Sequence, residues 1–293
     1  MFAGTHTAIV TPFKNGQIDE AALKSLIDFQ FDNGVSGIVP CGTTGESPTL
    51  DYDEHERVVK LSVEFAKGRG IVMAGTGSNS TREAIELTQE AEAAGATASL
   101  QVAPYYNKPT PEGLYQHFKA IADNTKLPLM LYSIPGRCGI EIGLDVLVRL
   151  AESCPNIRAI KEAGGNPERV SQMKQVLPAD FEILSGDDGL TLPFMSVGGC
   201  GIVSVASNLI PKPISEMVQL ALKGDYASAL AIHTRYYPLF AAFLKLSTNP
   251  IPIKTAMALA GHCSAELRLP LVGMEQAKVD ELTATLKSLG IIG

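Results

Sequence analysis

No stretch of the chain approaches the roughly eighteen consecutive apolar residues of a membrane span. The opening, Met1-Phe-Ala-Gly-Thr-His6, has neither the basic n-region nor the apolar h-region of a secretory signal, so a cytoplasmic protein is expected. No run of Lys or Arg interrupts a formal charge of −7, and a pI near 5.3 argues against a nucleic-acid surface. That balance still admits a small acidic solute, because a local Arg or Lys cluster binds an anion inside an acidic protein. Cysteine is sparse. The five, at 41, 138, 154, 200 and 263, are odd in number and have no C-x-x-C spacing, which argues against a disulfide framework and a zinc knuckle. They are expected to be reduced thiols, mostly small hydrophobes of the core. The sequon Asn79-Ser-Thr81 is idle in that compartment. There is no P-loop, no G-x-S-x-G elbow and no internal repeat. Gly75-Thr-Gly77-Ser-Asn-Ser80 starts like a dinucleotide fingerprint but has Ser80 where the third glycine belongs. Asp187-Asp188 lacks the histidine or third carboxylate that would complete a metal shell, and reads as a helix N-terminal cap.

What the chain does have is length and alternation. Its 293 residues, 45% of them hydrophobic, suffice for one sizeable core. Short β-branched runs alternate with longer 3.6-period segments. The strands read as 6–11, 36–40, 71–75, 99–103, 127–132, 157–161, 181–185 and 201–206. Helical patterns lie between them, such as 20–31, 53–65, 81–94 and 111–123, with Gly or Asn near many of their ends. Strand–helix units in so regular a succession predict a closed parallel (β/α)8 TIM barrel over residues 1–224, with an open doubly wound sheet as the alternative. From about Tyr226 the alternation stops, and three helical stretches, 226–247, 251–262 and 275–289, predict a C-terminal helical extension over residues 225–293.

In such a barrel the chemistry sits where the strands end at their carboxyl side. Lys161 is the only amine in the run Ile157-Arg-Ala-Ile-Lys161 and stands at its carboxyl end, before Gly164-Gly165. An unperturbed lysine is neutral in only about one molecule in a thousand near pH 7, so a lysine that forms imines must be desolvated. The alternative is a lysine snorkelling to a surface carboxylate such as Glu162. The other strand ends supply Thr7 to Pro12, Cys41-Gly-Thr-Thr-Gly-Glu46, Pro104-Tyr-Tyr-Asn107, Tyr132-Ser-Ile-Pro-Gly-Arg137, Ser185-Gly-Asp-Asp188 and Val203-Ser204. Thr43 and Thr44 offer two hydroxyls and closely spaced N–H groups that suit a carboxylate, though the same residues make an ordinary strand-to-helix turn. Tyr132 can exchange a proton with a lysine adduct or merely satisfy its hydroxyl in a core. Arg137 can clamp a carboxylate with parallel bonds or stay solvated.

Taken with Lys161-Glu-Ala163, Leu184-Ser-Gly-Asp-Asp188 and Asn249-Pro-Ile-Pro252, these segments resemble, along essentially the whole chain, the dihydrodipicolinate synthase and N-acetylneuraminate lyase family of pyruvate-dependent class I aldolases. The resemblance implies an imine between Lys161 and pyruvate, and a proton relay of Tyr132, Thr43 and Tyr106. It implies pyruvate contacts at Thr44, Gly186 and Val203, and Arg137 on the carboxylate of L-aspartate 4-semialdehyde. It further implies that Tyr106 reaches into a neighbouring subunit of a homotetramer built as a dimer of dimers. The imine is itself the electron sink, so no metal or organic cofactor is expected. An L-lysine effector site would use Ser47, His55, Asn79, Glu83 and Tyr105, with Pro48 and Tyr52 standing where some inhibited relatives carry alanine and histidine. A lyase for a sugar acid such as N-acetylneuraminate or 2-keto-3-deoxygluconate would share Lys161, Tyr132 and Thr43-Thr44. Arg137 and Tyr105-Tyr106 favour the semialdehyde, because a polyhydroxylated chain needs more hydroxyl partners. A non-catalytic keto-acid sensor would show a broken relay, whereas here every member is present.

Overall fold

A computed structural model describes residues 1–293. Strand β1 (Gly4–Thr7) is followed by a small antiparallel hairpin, β2 (Phe13–Lys14) and β3 (Gln17–Ile18). Then come β4 (Gly37–Ile38), β5 (Ile71–Gly75), β6 (Ala98–Val102), β7 (Leu129–Ser133), β8 (Ile157–Glu162), β9 (Glu182–Ser185) and β10 (Gly201–Ser204). All but the hairpin strands pair in parallel and close into a TIM barrel, in the order β1-β10-β9-β8-β7-β6-β5-β4 and back to β1. The intervening helices are α1 (Glu20–Asp32), α2 (Tyr52–Ala66), α3 (Thr81–Ala93), α4 (Pro111–Asp123), α5 (Pro135–Cys138), α6 (Leu144–Ser153), α7 (Pro167–Val176), α8 (Thr191–Ser196) and α9 (Pro211–Leu222). Beyond them lie α10 (Tyr226–Lys245), α11 (Ile251–Leu259) and α12 (Gln276–Ser288). No helix is long and apolar enough to cross a membrane.

The helices start where side chains satisfy the free N–H groups of a first turn. Asp51 accepts from the Glu54 amide at 2.8 Å while the Glu54 carboxylate accepts from the Asp51 amide at 3.2 Å, a capping box that opens α2. Asp19, Ser80, Thr110 and Asn166 cap α1, α3, α4 and α7. Strand alternation then sorts side chains into two layers. Val39, Met73, Leu100, Met130, Ala159, Leu184 and Val203 fill the interior of the barrel. Leu129, Leu131, Ile160 and Ile183 point outward against the helices. A third apolar cluster joins Leu23 and Ile214 to Leu239, Phe240, Phe243, Ile253, Met257, Leu282 and Leu286, so the C-terminal helices share a core with the barrel wall.

Strands β1 and β10 end earlier than their sequence suggests, because side chains take over from the ladder; β4 and β6 also stop short, at Ile38 and Val102. Beyond Thr7 the Asn208 side chain donates to the Ala8 carbonyl at 2.8 Å and accepts from the Val10 amide at 3.1 Å. Beyond Ser204 the Asp188 carboxylate accepts from the amides of Val205 (3.1 Å) and Ala206 (3.0 Å). The hairpin was not expected, yet Asn15-Gly16, with φ of 55° and 79°, is the usual signal for a two-residue turn whose central residues both have positive φ.

The barrel closes where Gly4 faces Gly201 across β1 and β10. A Cβ on Gly201 would run into the Gly4 carbonyl oxygen and lie 2.8 Å from its nitrogen, and neither backbone atom can rotate away. Gly201→Ala is therefore expected to lower unfolding stability by about 1–3 kcal/mol, read as a reduced midpoint in urea at unchanged slope.

Candidate active site

Period-two alternation decides where Lys161 goes. Ala159 faces the barrel interior, so Lys161 does too, while Glu162 faces the helices and accepts from Arg169 Nε at 2.8 Å. The snorkelling alternative is thereby removed, because Glu162 is fully buried on the opposite face of the strand. Lys161 is 6% exposed. Burial lowers its amine from the ordinary 10.5 to about 7; the Asp188 charge opposes the shift and the Arg137 charge adds to it.

Parallel register aligns Tyr132, Lys161 and Leu184 at one level of the barrel. The Lys161 ammonium lies 4.1 Å from the centre of the Tyr132 ring. Opposite, Gly186 leaves room for the lysine stem: a Cβ there would sit 2.7 Å from Ala163 Cβ and 3.0 Å from Lys161 Cε. Burial pushes the Tyr132 phenol well above its ordinary pKa, with Arg137 and a hydrogen bond to Thr43 acting the other way. Val203 is fully buried in the interior cluster that also holds Tyr132 and Leu184.

Thr44, almost fully buried, accepts a hydrogen bond from Asn249 Nδ2 at 3.0 Å. Arg137, on the short helix α5 after β7, is exposed and donates to Thr248 Oγ1 (3.3 Å) and to the Asn249 carbonyl (3.1 Å). The segment leading into α11 thus reaches the mouth of the barrel, a contribution that no local pattern announces. Lys161, Tyr132, Thr43, Thr44, Arg137, Gly186 and Val203 are brought together at this mouth. Tyr106 is not: it is 90% exposed, with a positive φ of 74° that is unfavourable for a bulky residue.

A second group of polar residues lies apart, around the loop between β5 and α3. Asn79 Nδ2 donates to the Tyr105 carbonyl at 3.0 Å, and Asn107 Nδ2 donates to the Asn79 carbonyl at 2.8 Å. Glu83 accepts from the Ser78 hydroxyl and, at 2.7 Å, from the Tyr52 phenol; both bonds hold its carboxyl below the ordinary range. His55, buried behind them, is 2.8 Å from the Gly75 carbonyl through Nε2. Ser47, half-buried, opens the short turn Ser47–Thr49 and makes no side-chain hydrogen bond to His55, Asn79, Glu83 or Tyr105.

Of the adjacent aspartates, Asp187 is the cap that the sequence suggests and Asp188 does other work. Asp187 accepts from the Gly189 amide at 2.8 Å and caps the turn Asp188–Leu190. Asp188 is buried and accepts from the Ser204 hydroxyl at 2.5 Å as well as from the two amides beyond β10. Burial pushes its carboxyl up to about 6. Of the thiols, Cys41, Cys138 and Cys154 are buried, and Cys200 and Cys263 are half-buried; all five are free.

The sequence profile of the dihydrodipicolinate synthetase family matches residues 1–289. A 4-hydroxy-tetrahydrodipicolinate synthase from Persephonella marina is 52% identical over 293 residues, 100% of each chain. Among solved structures, the 4-hydroxy-tetrahydrodipicolinate synthase of Methylacidiphilum fumariolicum SolV superposes with a TM-score of 0.98 at 52% identity, covering 99% of this chain and 96% of that one. The dihydrodipicolinate synthase of Cyanidioschyzon merolae, solved with lysine bound, superposes with a TM-score of 0.96 at 42% identity, covering 99% of each chain.

The perturbed amine has a direct readout. Acetic anhydride acylates neutral amines only, so the rate at Lys161, followed by peptide mass, is expected to rise with pH up to a midpoint near 7 and then level off. Below the midpoint it should fall about tenfold per pH unit. Asp188→Asn removes an anion that favours the ammonium form and should move the midpoint to lower pH. A midpoint near 10.5 would contradict the burial assigned to this amine.

Proposed function

The chain belongs to the dihydrodipicolinate synthetase family, and we infer that it joins pyruvate to L-aspartate 4-semialdehyde through an imine on Lys161. This is the 4-hydroxy-tetrahydrodipicolinate synthase reaction, a lyase step of diaminopimelate and lysine biosynthesis. The observation that carries the residue assignment is the desolvated Lys161 amine, in register with Tyr132 and packed against Gly186.

The Lys161 amine adds to the pyruvate ketone, and the carbinolamine loses water to give the imine. Loss of a methyl proton converts the imine to an enamine, whose terminal carbon attacks the aldehyde carbon of the semialdehyde; the aldehyde oxygen takes up a proton. The amino group of that substrate then attacks the imine carbon, closes the ring and releases Lys161 as the free amine. The protonated imine nitrogen takes up the electron pair when the methyl proton leaves and gives it back when the enamine attacks, so these steps call on no metal or organic cofactor. Each proton transfer needs a group that both gives and takes, and the Tyr132 phenol bonded to Thr43 is suited to this. Thr44 and the backbone at Gly186 and Val203 would receive pyruvate, and Arg137 would hold the carboxylate of the semialdehyde.

The exposed, backbone-strained Tyr106 supports a relay completed between copies: its phenol would enter the site of an adjacent subunit, within a tetramer built as a dimer of dimers. Free thiols and a biosynthetic reaction favour the cytoplasm.

Pyruvate followed by borohydride is expected to add one reduced adduct per chain at Lys161, found by peptide mass. Lys161→Arg should abolish it, because a guanidinium stays protonated. Labelling of another lysine would refute the mechanism. Tyr132→Phe should lower turnover by about a hundredfold or more with pyruvate binding little changed. Arg137→Ala should retain the adduct while reducing kcat/KM for the semialdehyde by about tenfold to a hundredfold. Unchanged semialdehyde kinetics in that variant would favour a sugar-acid substrate.

We further propose that Ser47, His55, Asn79, Glu83 and Tyr105 bind L-lysine as a feedback effector at a site between paired subunits. The ionised Glu83 suits an ammonium group, and Asn79, held on the Tyr105 carbonyl, suits the amino-acid end. The Tyr52 phenol already donates to Glu83, so the effector must share or displace it. Tyr105 adjoins Tyr106, which provides a route between the two sites. Millimolar L-lysine is expected to inhibit steady-state turnover, and Glu83→Ala to relieve that inhibition; an unaffected parent enzyme would refute the site.

A further inference from the structure

The turn that carries Thr43 and Thr44 is held at both ends in an unfavourable backbone conformation. Cys41 and Glu46 each have a φ of 55°, a region that non-glycine residues occupy only when their surroundings hold them there. What surrounds Glu46 is the C-terminal region. Lys254, in the first turn of α11, donates to Glu46 Oε1 at 2.6 Å and to the Thr11 carbonyl at 3.0 Å, and both side chains of the pair are 0% exposed. The other carboxylate oxygen, Oε2, accepts from the Arg268 amide at 3.1 Å. The Arg268 guanidinium grips Glu54 at 2.5 and 2.6 Å and the Thr49 carbonyl at 2.9 Å, just beyond the same turn. The Phe13 ring lies 4.4 Å from the Lys254 ammonium and 4.3 Å from the Arg268 guanidinium. Within the turn, Thr11 Oγ1 donates to the Gly45 carbonyl at 2.7 Å.

A fully buried ion pair is seldom the most stable way to fill its volume, since apolar residues of the same shape commonly do as well or better. Its specific product is geometry. Lys254 and the Arg268 amide together satisfy the Glu46 carboxylate, which would otherwise be buried without a partner at a residue already in an unfavourable conformation. The segment that delivers Lys254 also delivers Asn249, whose amide donates to Thr44 Oγ1 at 3.0 Å. The Thr44 oxygen is thus an acceptor from Asn249, and its own proton is free to be given to an anion.

We propose that Glu46 and Lys254 are positioning residues: their buried pair tethers the Gly42–Glu46 turn to α11 and so fixes the Thr44 hydroxyl where a substrate carboxylate docks. This rests on the reading of pyruvate as the substrate given above. Displacements on the ångström scale at such a contact are enough to impair substrate placement.

The test uses the intact chain carrying Glu46→Gln and Lys254→Met together, so that no lone charge is left buried. Hydrogen exchange at the amides of residues 42–49 is expected to quicken about tenfold or more while the rest of the barrel keeps its protection. The pyruvate KM is expected to rise about tenfold with kcat changed by less than about threefold. If the double variant does not fold, Glu46→Asp, which keeps both charges but shortens the reach to Lys254, carries the same two readouts. Unchanged exchange with a KM within about twofold of the parent would overturn the proposal. So would a fall in kcat at unchanged KM, the mark of a reduced folded fraction. If the parent gives no borohydride-trapped pyruvate adduct at Lys161, the catalytic reading fails instead, and hydrogen exchange alone still decides the tether.

Discussion

Keeping water away from one amine is the constraint on which the rest of the site depends. The closed barrel supplies a dry interior, and the strand ends supply everything that faces it. The same burial acts in opposite directions on two neighbours in register: it brings the Lys161 amine down to about 7 and pushes the Tyr132 phenol up. Near neutral pH the first is therefore a ready nucleophile beside a second that still carries its proton. Asp188 limits the fall of the amine, and it is itself held by the residues at the end of β10. The charge balance at the lysine is thus part of the way the barrel wall ends.

Much of this was legible in the chain because it is local. An apolar run with a single amine at its carboxyl end singles out Lys161, and the strict alternation of a strand then decides between a lysine that faces the barrel interior and one paired to Glu162. What was not legible is what depends on distant partners. The ends of β1 and β10 are set by Asn208 and Asp188, whose side chains replace a ladder that sequence pattern alone would continue. Lys254 and Glu46 are 208 positions apart, and no periodicity links them. The β2–β3 hairpin is a different kind of miss: Asn15-Gly16 announced it, but the flanking strands are of two residues each and carry little hydrophobic pattern.

The helices after residue 225 read in the sequence as an appendage, and in the fold they share a core with the barrel wall. Through Thr248, Asn249, Lys254 and Arg268 they also touch Arg137, Thr44, Glu46 and Thr49 at the mouth. A barrel of this kind has its chemistry on loops, which are the least constrained parts of the fold. Here the constraint on those loops comes from elements that follow the barrel in the chain.

The pair between Glu46 and Lys254 has a consequence for how such a chain can change over generations. With no exposure at either end, neither charge can be lost alone without leaving the other stranded in an apolar interior. The two positions are therefore a single unit of variation. A lineage that abandons the pair must replace both residues in quick succession or pass through a poorly folded intermediate, and that barrier protects the shape of the turn more firmly than the chemistry of either residue would.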